Sequence, residues 1–340
     1  PAAGVTIRGG VNIGGAAGYN TGTIRLTEAT GRVEGITAVG GVAGVETWVV
    51  RAVSANAFNS NVKTVTIASS VILAQRRAFH NCANLTTVIF DTKNHVDGDL
   101  LKLEDGAFYG RTALTSVTLP SWTAAINADK FFRCPNLATV NVAGEKGAYS
   151  SVDGMVTNAS KDVIVYVPKG RSGDIVLPSQ ISVVGSHAFE NCVLLGKVTI
   201  GGFVTEIGES AFAFCKGADF GVEFAGGASD GKLKICEKAF YGCNYLKQLT
   251  LAPNVYSIAA HAFGGNKTLK AVTVNSVGEG GALDFAAYAF ADVKVADRYE
   301  YNVDTLVIGA AVPTFDVIKV FGEKLINLSV DDANSNYKSE

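Results

Sequence analysis

The sequence is short of charge. Asp, Glu, Lys and Arg make up 18% of its 340 residues, against about 25% in a typical soluble chain. The 29 basic and 31 acidic residues leave a net charge of −2. No run of five or more like charges occurs, which excludes the electrostatic footprint of a nucleic-acid or anionic-membrane binder. No apolar run reaches the ~18 residues of a membrane span. No signal peptide is visible either. The chain starts at Pro1 rather than a methionine, as expected of a processed or trimmed chain, so the missing leader says nothing about compartment. Four histidines and six cysteines occur without the close pairs of a zinc site. The glycine-rich piece "GGVNIGG" lacks the lysine–serine pair of a phosphate loop. Ser210 in "GESAF" lacks the Gly-x-Ser-x-Gly elbow of a hydrolase. No acid–base pair or activated nucleophile is evident, so no catalytic residue, metal or cofactor is expected.

What the chain has in quantity is a repeat. Ala-Phe recurs at Phe58, Phe79, Phe108, Phe189, Phe212, Phe240, Phe263 and Phe290, where random mixing would give roughly two such pairs. Phe131 in "KFFRC" and Phe321 in "KVFGEKLINLSV" supply a ninth and a tenth anchor. Several anchors lie 23 apart, as in 108 to 131, 189 to 212 and 240 to 263. Six residues after the phenylalanine comes a leucine: Leu85, Leu114, Leu137, Leu195, Leu246 and Leu269. Two apolar residues follow at nine and eleven, such as Val88 and Phe90 or Leu249 and Leu251. That alternation predicts a short strand with one buried face. Five residues before the phenylalanine sits another apolar residue, from Val53 and Leu103 to Ile258 and Phe285, which predicts a shorter second strand or turn. The coil after Phe212 lacks its leucine and shifts its strand by one, to Val222 and Phe224. A unit with one buried stripe cannot fold alone; stacked copies bury a continuous core. About ten coils at the ~4.8 Å strand spacing give a parallel sheet roughly 45–50 Å long.

The register places the cysteines. Cys82, Cys134, Cys192, Cys215 and Cys243 all stand three residues after the anchor, in a slot shared with Asn61, Arg111, Asn266 and Val293. It reads as a slot for small, mostly buried residues. Cys236 occupies a different slot, also filled by Gly185, Gly208 and Ala259. Stacking brings Cys192 and Cys215 to about 5 Å between Cα atoms, but parallel side chains hold the Cβ atoms a little too far apart. Free thiols are expected, with one bridge as the alternative. His187 and His261 directly precede Ala-Phe, in a slot that varies from coil to coil and so reads as surface.

"VTEIGESAFAFCKG" and "VYSIAAHAFGGNKTLKAVTV" resemble the BspA-like leucine-rich-repeat family over about residues 45–330. The resemblance implies an α/β, β-rich solenoid: a right-handed leucine-rich-repeat superhelix with about ten coils of roughly 23 residues or more. It also implies a cell-surface or secreted, adhesin-like protein that is not an enzyme. Its expected partner is a protein of host matrix or cell surface, with glycan as the other possibility. A further family feature is "YSSVDGMVTNASKDVIVYVP", which marks an inserted hairpin unit at 147–170, with strands Met155–Thr157 and Val163–Val167 around a turn from Asn158 to Lys161. The closing "NYKSE" resembles the start of another such unit, so the natural chain is expected to run on. Residues 1–44 are glycine-rich, fit no repeat, and read as an N-terminal cap; residues 45–340 read as the solenoid.

Two stretches remain as candidate sites. "DTKNHVDGDLLKLEDG" gathers His95 with Asp91, Asp97, Asp99, Glu104 and Asp105. It reads as a solvated loop between coils, with a weak calcium site as the alternative, because the distant bidentate glutamate is not in register. The outward positions of the main strand are the stronger candidate. Thr66, Thr118, Asn141, Lys197, Thr199, Gln248, Thr250 and Thr273 would line a flat, hydroxyl-rich, nearly uncharged face. Threonine suits an exposed strand for its own sake. Extended sheet surfaces of solenoids are also where partners dock.

Overall fold

A computed structural model describes strands Thr23–Leu26, Ala29–Thr30 and Thr47–Trp48, and residues 52–337 apart from 54, 56, 59–61, 70, 94, 96, 132, 146, 228–229, 278–281 and 293–298. Most of the expected 1–44 cap therefore lies outside the described residues. The chain divides into two compact units, Pro1–Ser160 with Pro168–Gly170, and Lys161–Val167 with Arg171–Glu340. Each is a β-solenoid of stacked repeat turns with little helix.

In the first unit the main strands Thr23–Leu26, Thr64–Ile67, Thr87–Phe90, Ser116–Pro120 and Thr139–Ala143 pair in parallel, in that order. The short strands Ala52–Val53, Leu73–Ala74 and Lys102–Leu103 form a second parallel sheet. The second unit repeats the plan. Its short strands run from Val163–Tyr166 through Val183–Val184, Glu206–Ile207, Leu233–Ile235 and Val255–Ile258 to Asp284–Phe285. Its main sheet is not continuous, contrary to the single long sheet expected from the repeat. Gly173–Val176, Leu195–Ile200 and Gly221–Phe224 form one group. Gln248–Leu251, Ala271–Val274, Thr305–Ile308 and Asn327–Val330 form another. The break follows the irregular coil. Without a leucine six residues after Phe212, nothing sets the usual register, and the strand at 221–224 does not pair with the one at 248–251.

The Ala-Phe segment forms a third ladder, which the repeat pattern did not predict. In coil after coil the backbone N–H groups two before the phenylalanine and of the phenylalanine itself donate to carbonyls of the next coil. His187 N donates to Glu209 O at 2.9 Å, Phe189 N to Ala211 O at 2.7 Å, and Asn191 N to Ala213 O at 2.8 Å. In most coils a left-handed residue stands on one or both sides of Ala-Phe. The slot before it holds Arg77, His187, Ser210, Lys238, His261 and Tyr288, and the slot two after the phenylalanine holds Arg133, Asn191 and Phe214, all at φ between 53° and 67°. The varied slot is thus a constrained one, tolerated at about 1–2 kcal/mol per non-glycine residue because the ladder fixes it. The ladder ends in a helix. Tyr288 N and Phe290 N donate to Lys319 O and Val320 O. Helix Val317–Phe321 spends its own donors inside itself and on its Asp316 cap.

Inside these ladders the phenylalanines stack. Phe58, Phe79, Phe108 and Phe131 form one run with centroids 4.8–5.5 Å apart. Phe189, Phe212, Phe240, Phe263, Phe290 and Phe321 form another at 4.4–5.1 Å. Coil spacing and ring-stacking distance nearly coincide, so one aromatic per coil packs without voids.

The inserted unit holds the two expected strands, Met155–Asn158 and Val163–Tyr166, with a turn between them, and has one more strand ahead of them. The added strand, Tyr149–Val152, pairs antiparallel with Met155–Asn158. The turn is Asp153-Gly154, at φ 51° and 72°, the two left-handed residues a tight hairpin requires. Val163–Tyr166 belongs to the short-strand sheet of the second unit. The sequence reading overlooked "DG" flanked by strands, and with it the strand Tyr149–Val152.

The cysteine slot is a donor slot. Cys134 Sγ lies 2.9 Å from Phe108 O, Cys215 Sγ 3.2 Å from Phe189 O and Cys243 Sγ 3.1 Å from Phe212 O. Asn266 makes the same bond, from Nδ2 to Phe240 O at 2.9 Å. A thiol or an amide satisfies a carbonyl that would otherwise be buried unpaired, which explains why two unlike residues share the position. None of the six cysteines is in a disulfide. Burial pushes the Cys82 thiol up to about 12 and Cys134 up to about 11, and holds Cys215 well above the usual range. Cys236, only half-buried, is also raised, by burial and by Glu206. Alkylation needs the thiolate, so raised values and burial both slow it. Native protein at about pH 8 should therefore be alkylated at Cys236 first, with the buried slot labelled only on unfolding. Peptide mapping by mass spectrometry after a short iodoacetamide pulse checks this. Equal labelling of all six without denaturant would contradict it.

Candidate functional site

Strand alternation gives the main sheet an inner and an outer row. Val65, Val88, Val117 and Val140 go inward and are fully buried; their neighbours go outward. Parallel register then stacks outward residues of successive coils directly beside one another. In the first unit Thr66 pairs with Ile89, Ile89 with Thr118, and Thr118 with Asn141. In the second unit Lys197 lies beside Gly221 and Thr199 beside Glu223. Gln248 lies beside Ala271, and Thr250 beside Thr273, which continues to Val307 and Ser329. All eight candidate residues are thus in outward register, in three separate ladders. Asn141, Lys197, Gln248 and Thr250 are exposed, and Thr66, Thr118, Thr199 and Thr273 are half-buried.

Charge on this face is more organised than the composition suggested. Lys197 Nζ meets Glu223 Oε2 at 2.8 Å, and the Lys197 backbone N–H donates to Asp174 Oδ1 at 2.7 Å. The Glu223 hydrogen bond pushes the Lys197 ammonium above its ordinary value. As an exposed pair it adds little stability, but it sets a polar clasp across three coils. Glu223 escaped the sequence reading because its strand is shifted by one residue.

A second feature lies in the first unit. Loops of successive coils enclose a cavity of about 680 Å³, lined among others by His95, Asp97, Asp99, Leu100, Trp122 and Glu145. The His95 ring stacks on Trp122 with centroids 3.6 Å apart and planes 12° from parallel. His95 Nδ1 is shut off from solvent and has no hydrogen-bond partner among the described residues. Trp122 is 8% exposed. Glycines shape the wall. A Cβ on Gly147 would sit 2.0 Å from Ser121 O, and one on Gly144 would sit 3.4 Å from the indole. The sequence reading joined His95 to the neighbouring acids but not to Trp122, which lies one coil on. Among the described residues no three acid, imidazole or thiol groups come together as a metal site would require. None of the helices among the described residues is long and apolar enough to cross a membrane.

A family model described as "BspA type Leucine rich repeat region" matches residues 49–149 and 171–293, in six copies. Among solved structures, the pneumococcal vaccine antigen PcpA is similar at 19% identity, covering 92% of this chain and 89% of that one, with a TM-score of 0.46. A leucine-rich cell surface protein from Faecalibacterium prausnitzii is similar at 17% identity, covering 93% and 89%, with a TM-score of 0.45. A leucine-rich repeat protein from Bacteroides ovatus is 15% identical over 97% of this chain and 99% of that one, with a TM-score of 0.30. No curated protein matches the sequence.

Proposed function

Because this chain belongs to the BspA-type leucine-rich-repeat family, we propose that it is a non-enzymatic, adhesin-like interaction protein of the cell surface or of secretion. Its partner is a protein of the host or of a neighbouring cell, and the docking surface is the outward face of the main strands. The observation that carries this reading is the register. Side chains distant in sequence, such as Thr250 and Thr273 or Thr118 and Asn141, sit side by side at strand spacing on exposed sheet. A repeat scaffold holds such a surface rigid, so little ordering entropy opposes a large, flat contact. The composition of the face supports a protein partner over a strongly charged one, since its ionic groups include the paired Lys197 and Glu223.

The test is binding of the purified chain to immobilised matrix and cell-surface proteins, followed by substitution on the face. Thr250→Lys and Thr273→Lys place two like charges in adjacent, outward positions, and a thermal melt of the double variant checks that the fold survives their repulsion. The expected result is a saturable signal that drops at least about tenfold, roughly 1.4 kcal/mol, in the double variant. Full binding by the double variant would place the contact elsewhere and overturn the strand-face assignment. A glycan-binding scaffold of the cell envelope is the second reading, and the cavity over Trp122 is the feature that favours it.

A further inference from the structure

We propose that the arginine cluster around Tyr109, in the first unit, is a docking site for an acidic segment of a partner protein. Three successive coils build it. The guanidinium carbons of Arg77 and Arg133 lie 5.5 and 5.8 Å from the centroid of the Tyr109 ring. Arg111 Nε donates to the Tyr109 carbonyl at 3.2 Å. The His80 ring lies 6.3 Å from the same ring, centroid to centroid. The backbone fixes the arrangement. Arg77 and Arg133 occupy the left-handed positions flanking the anchor, at φ 60° and 59°, and Arg77 N donates to Gly106 O at 3.0 Å. Both side chains are exposed. The face of Tyr109 attracts both cations but carries no charge to neutralise them.

Arg111 is a second, independent observation. It stands in the slot that elsewhere holds a donating thiol or Asn266, and it is 8% exposed. Its guanidinium makes one hydrogen bond among the described residues, the one from Nε. Neither Arg111 nor Arg77 is ion-paired with an acid there. A cation this buried is costly without a counter-charge, and like charges beside it add to the cost. His80 Nδ1 is also shut off from solvent without a hydrogen-bond partner among the described residues. An arriving anion relieves this repulsion.

The chemistry of the cluster selects the ligand. Guanidinium groups only donate, so the ligand supplies acceptors, and a carboxylate matches the planar fork. Arg77 and Arg133 belong to coils two steps apart, about 10 Å, a span that two or three acidic side chains of one extended segment cover. Polyphosphate and polysulfate chains gain affinity along many cations, whereas the preceding coil offers Asn56, Ser60 and Asn61 in the same slots. The first unit has the matching sign. It holds 14 basic and 11 acidic residues, a net of +3, which the chain total of −2 conceals. The cluster lies on the Ala-Phe segments and not on the main strands, so its failure and the failure of the strand-face reading can be told apart.

The probe is a fluorescein-labelled peptide of alternating Glu and Ser, with a Gln-for-Glu peptide as its neutral counterpart, titrated with the full chain and read by anisotropy. The expected result is saturable binding of the Glu peptide alone, weakened by salt. Arg77→Asn/Arg133→Asn should weaken it by about tenfold or more. Asparagine suits left-handed positions, and Asn191 already fills the Arg133 slot in another coil at φ 59°, so the melting transition should be unchanged. Lys63→Gln/Lys93→Gln removes the same charge from exposed positions of the same unit outside the cluster and should bind as the parent chain does. Equal loss in the two double variants would reduce the attraction to net charge and overturn the site. Silence with the Glu peptide, or equal binding of the Gln peptide, would overturn it as well. A sulfated oligosaccharide and inorganic sulfate are titrated as the competing occupants. Saturation by the first without the Glu peptide would mean a glycan partner, and by the second an adventitious ion only; either would overturn the proposal.

Discussion

Phe240→Ala is expected to destabilise the second unit by about 3–5 kcal/mol, the range of phenylalanine deletions in packed cores. The ring is fully buried. It stacks between Phe212 at 5.0 Å and Phe263 at 5.1 Å, within 3° of parallel to both, and receives the edge of Phe224 at 6.1 Å. Removing it costs the transfer energy of the ring and the contacts of three aromatic neighbours. The neighbours cannot collapse into the space, because their backbones are held by the Ala-Phe ladder, in which Phe240 N donates to Ala262 O at 2.7 Å. Urea unfolding followed by far-UV circular dichroism measures the loss. Phe58→Ala is the internal comparison. Among the described residues Phe58 stacks on Phe79 alone, at 5.5 Å, and is 7% exposed. Its loss should be clearly smaller, and equal effects would mean that stacking along the column contributes little. In a repeat protein each interface is local, so the Phe240 variant should also broaden the transition by uncoupling the coils on either side.

Gly217→Ala should be nearly as damaging although it adds one methyl group. A Cβ at this position would lie 1.9 Å from the carbonyl oxygen of Leu195 and 3.0 Å from its carbon. The obstacle is backbone, not a side chain that can rotate. Leu195 begins the strand Leu195–Ile200, which pairs on both sides, with Gly173–Val176 and Gly221–Phe224. Relief requires moving one coil against its neighbour and stretching a row of hydrogen bonds. The expected cost is about 3 kcal/mol, the upper end for overpacked positions. Gly201→Ala is the control. Nothing lies within 4 Å of its added Cβ, so its effect should stay within about 0.5 kcal/mol. Thermal melts of the two variants side by side decide the point. Similar melting temperatures would mean that the coils slide more freely than this packing allows.

Legibility differed between the strands, the turns and the surface. The anchor phenylalanines, the leucines six residues on and the alternating valines identify the coil, because burying a stripe at fixed register leaves a periodic trace in the sequence. That trace covers the inward rows, where packing allows few residue types. It also places the outward row, since a strand with one known face has the other by alternation. Thr66, Thr118, Asn141, Lys197, Thr199, Gln248, Thr250 and Thr273 are all in that row.

Other features were not readable. The third ladder depends on backbone conformation at slots whose side chains point outward, and Arg77, His187 and Tyr288 share a φ near 60° without sharing any chemistry. The cysteine slot looked like a matter of size, when the thiols and Asn266 are joined by donating to a carbonyl one coil away. His95 and Trp122 lie 27 positions apart in the chain and meet only because their loops belong to neighbouring coils. The sequence by itself determined the repeat, the buried rows and the family. The tertiary structure alone decided which loops meet, which carbonyls need a donor and where a cavity opens. Periodicity encodes contacts that recur in every coil, whereas a site is built from contacts that occur once.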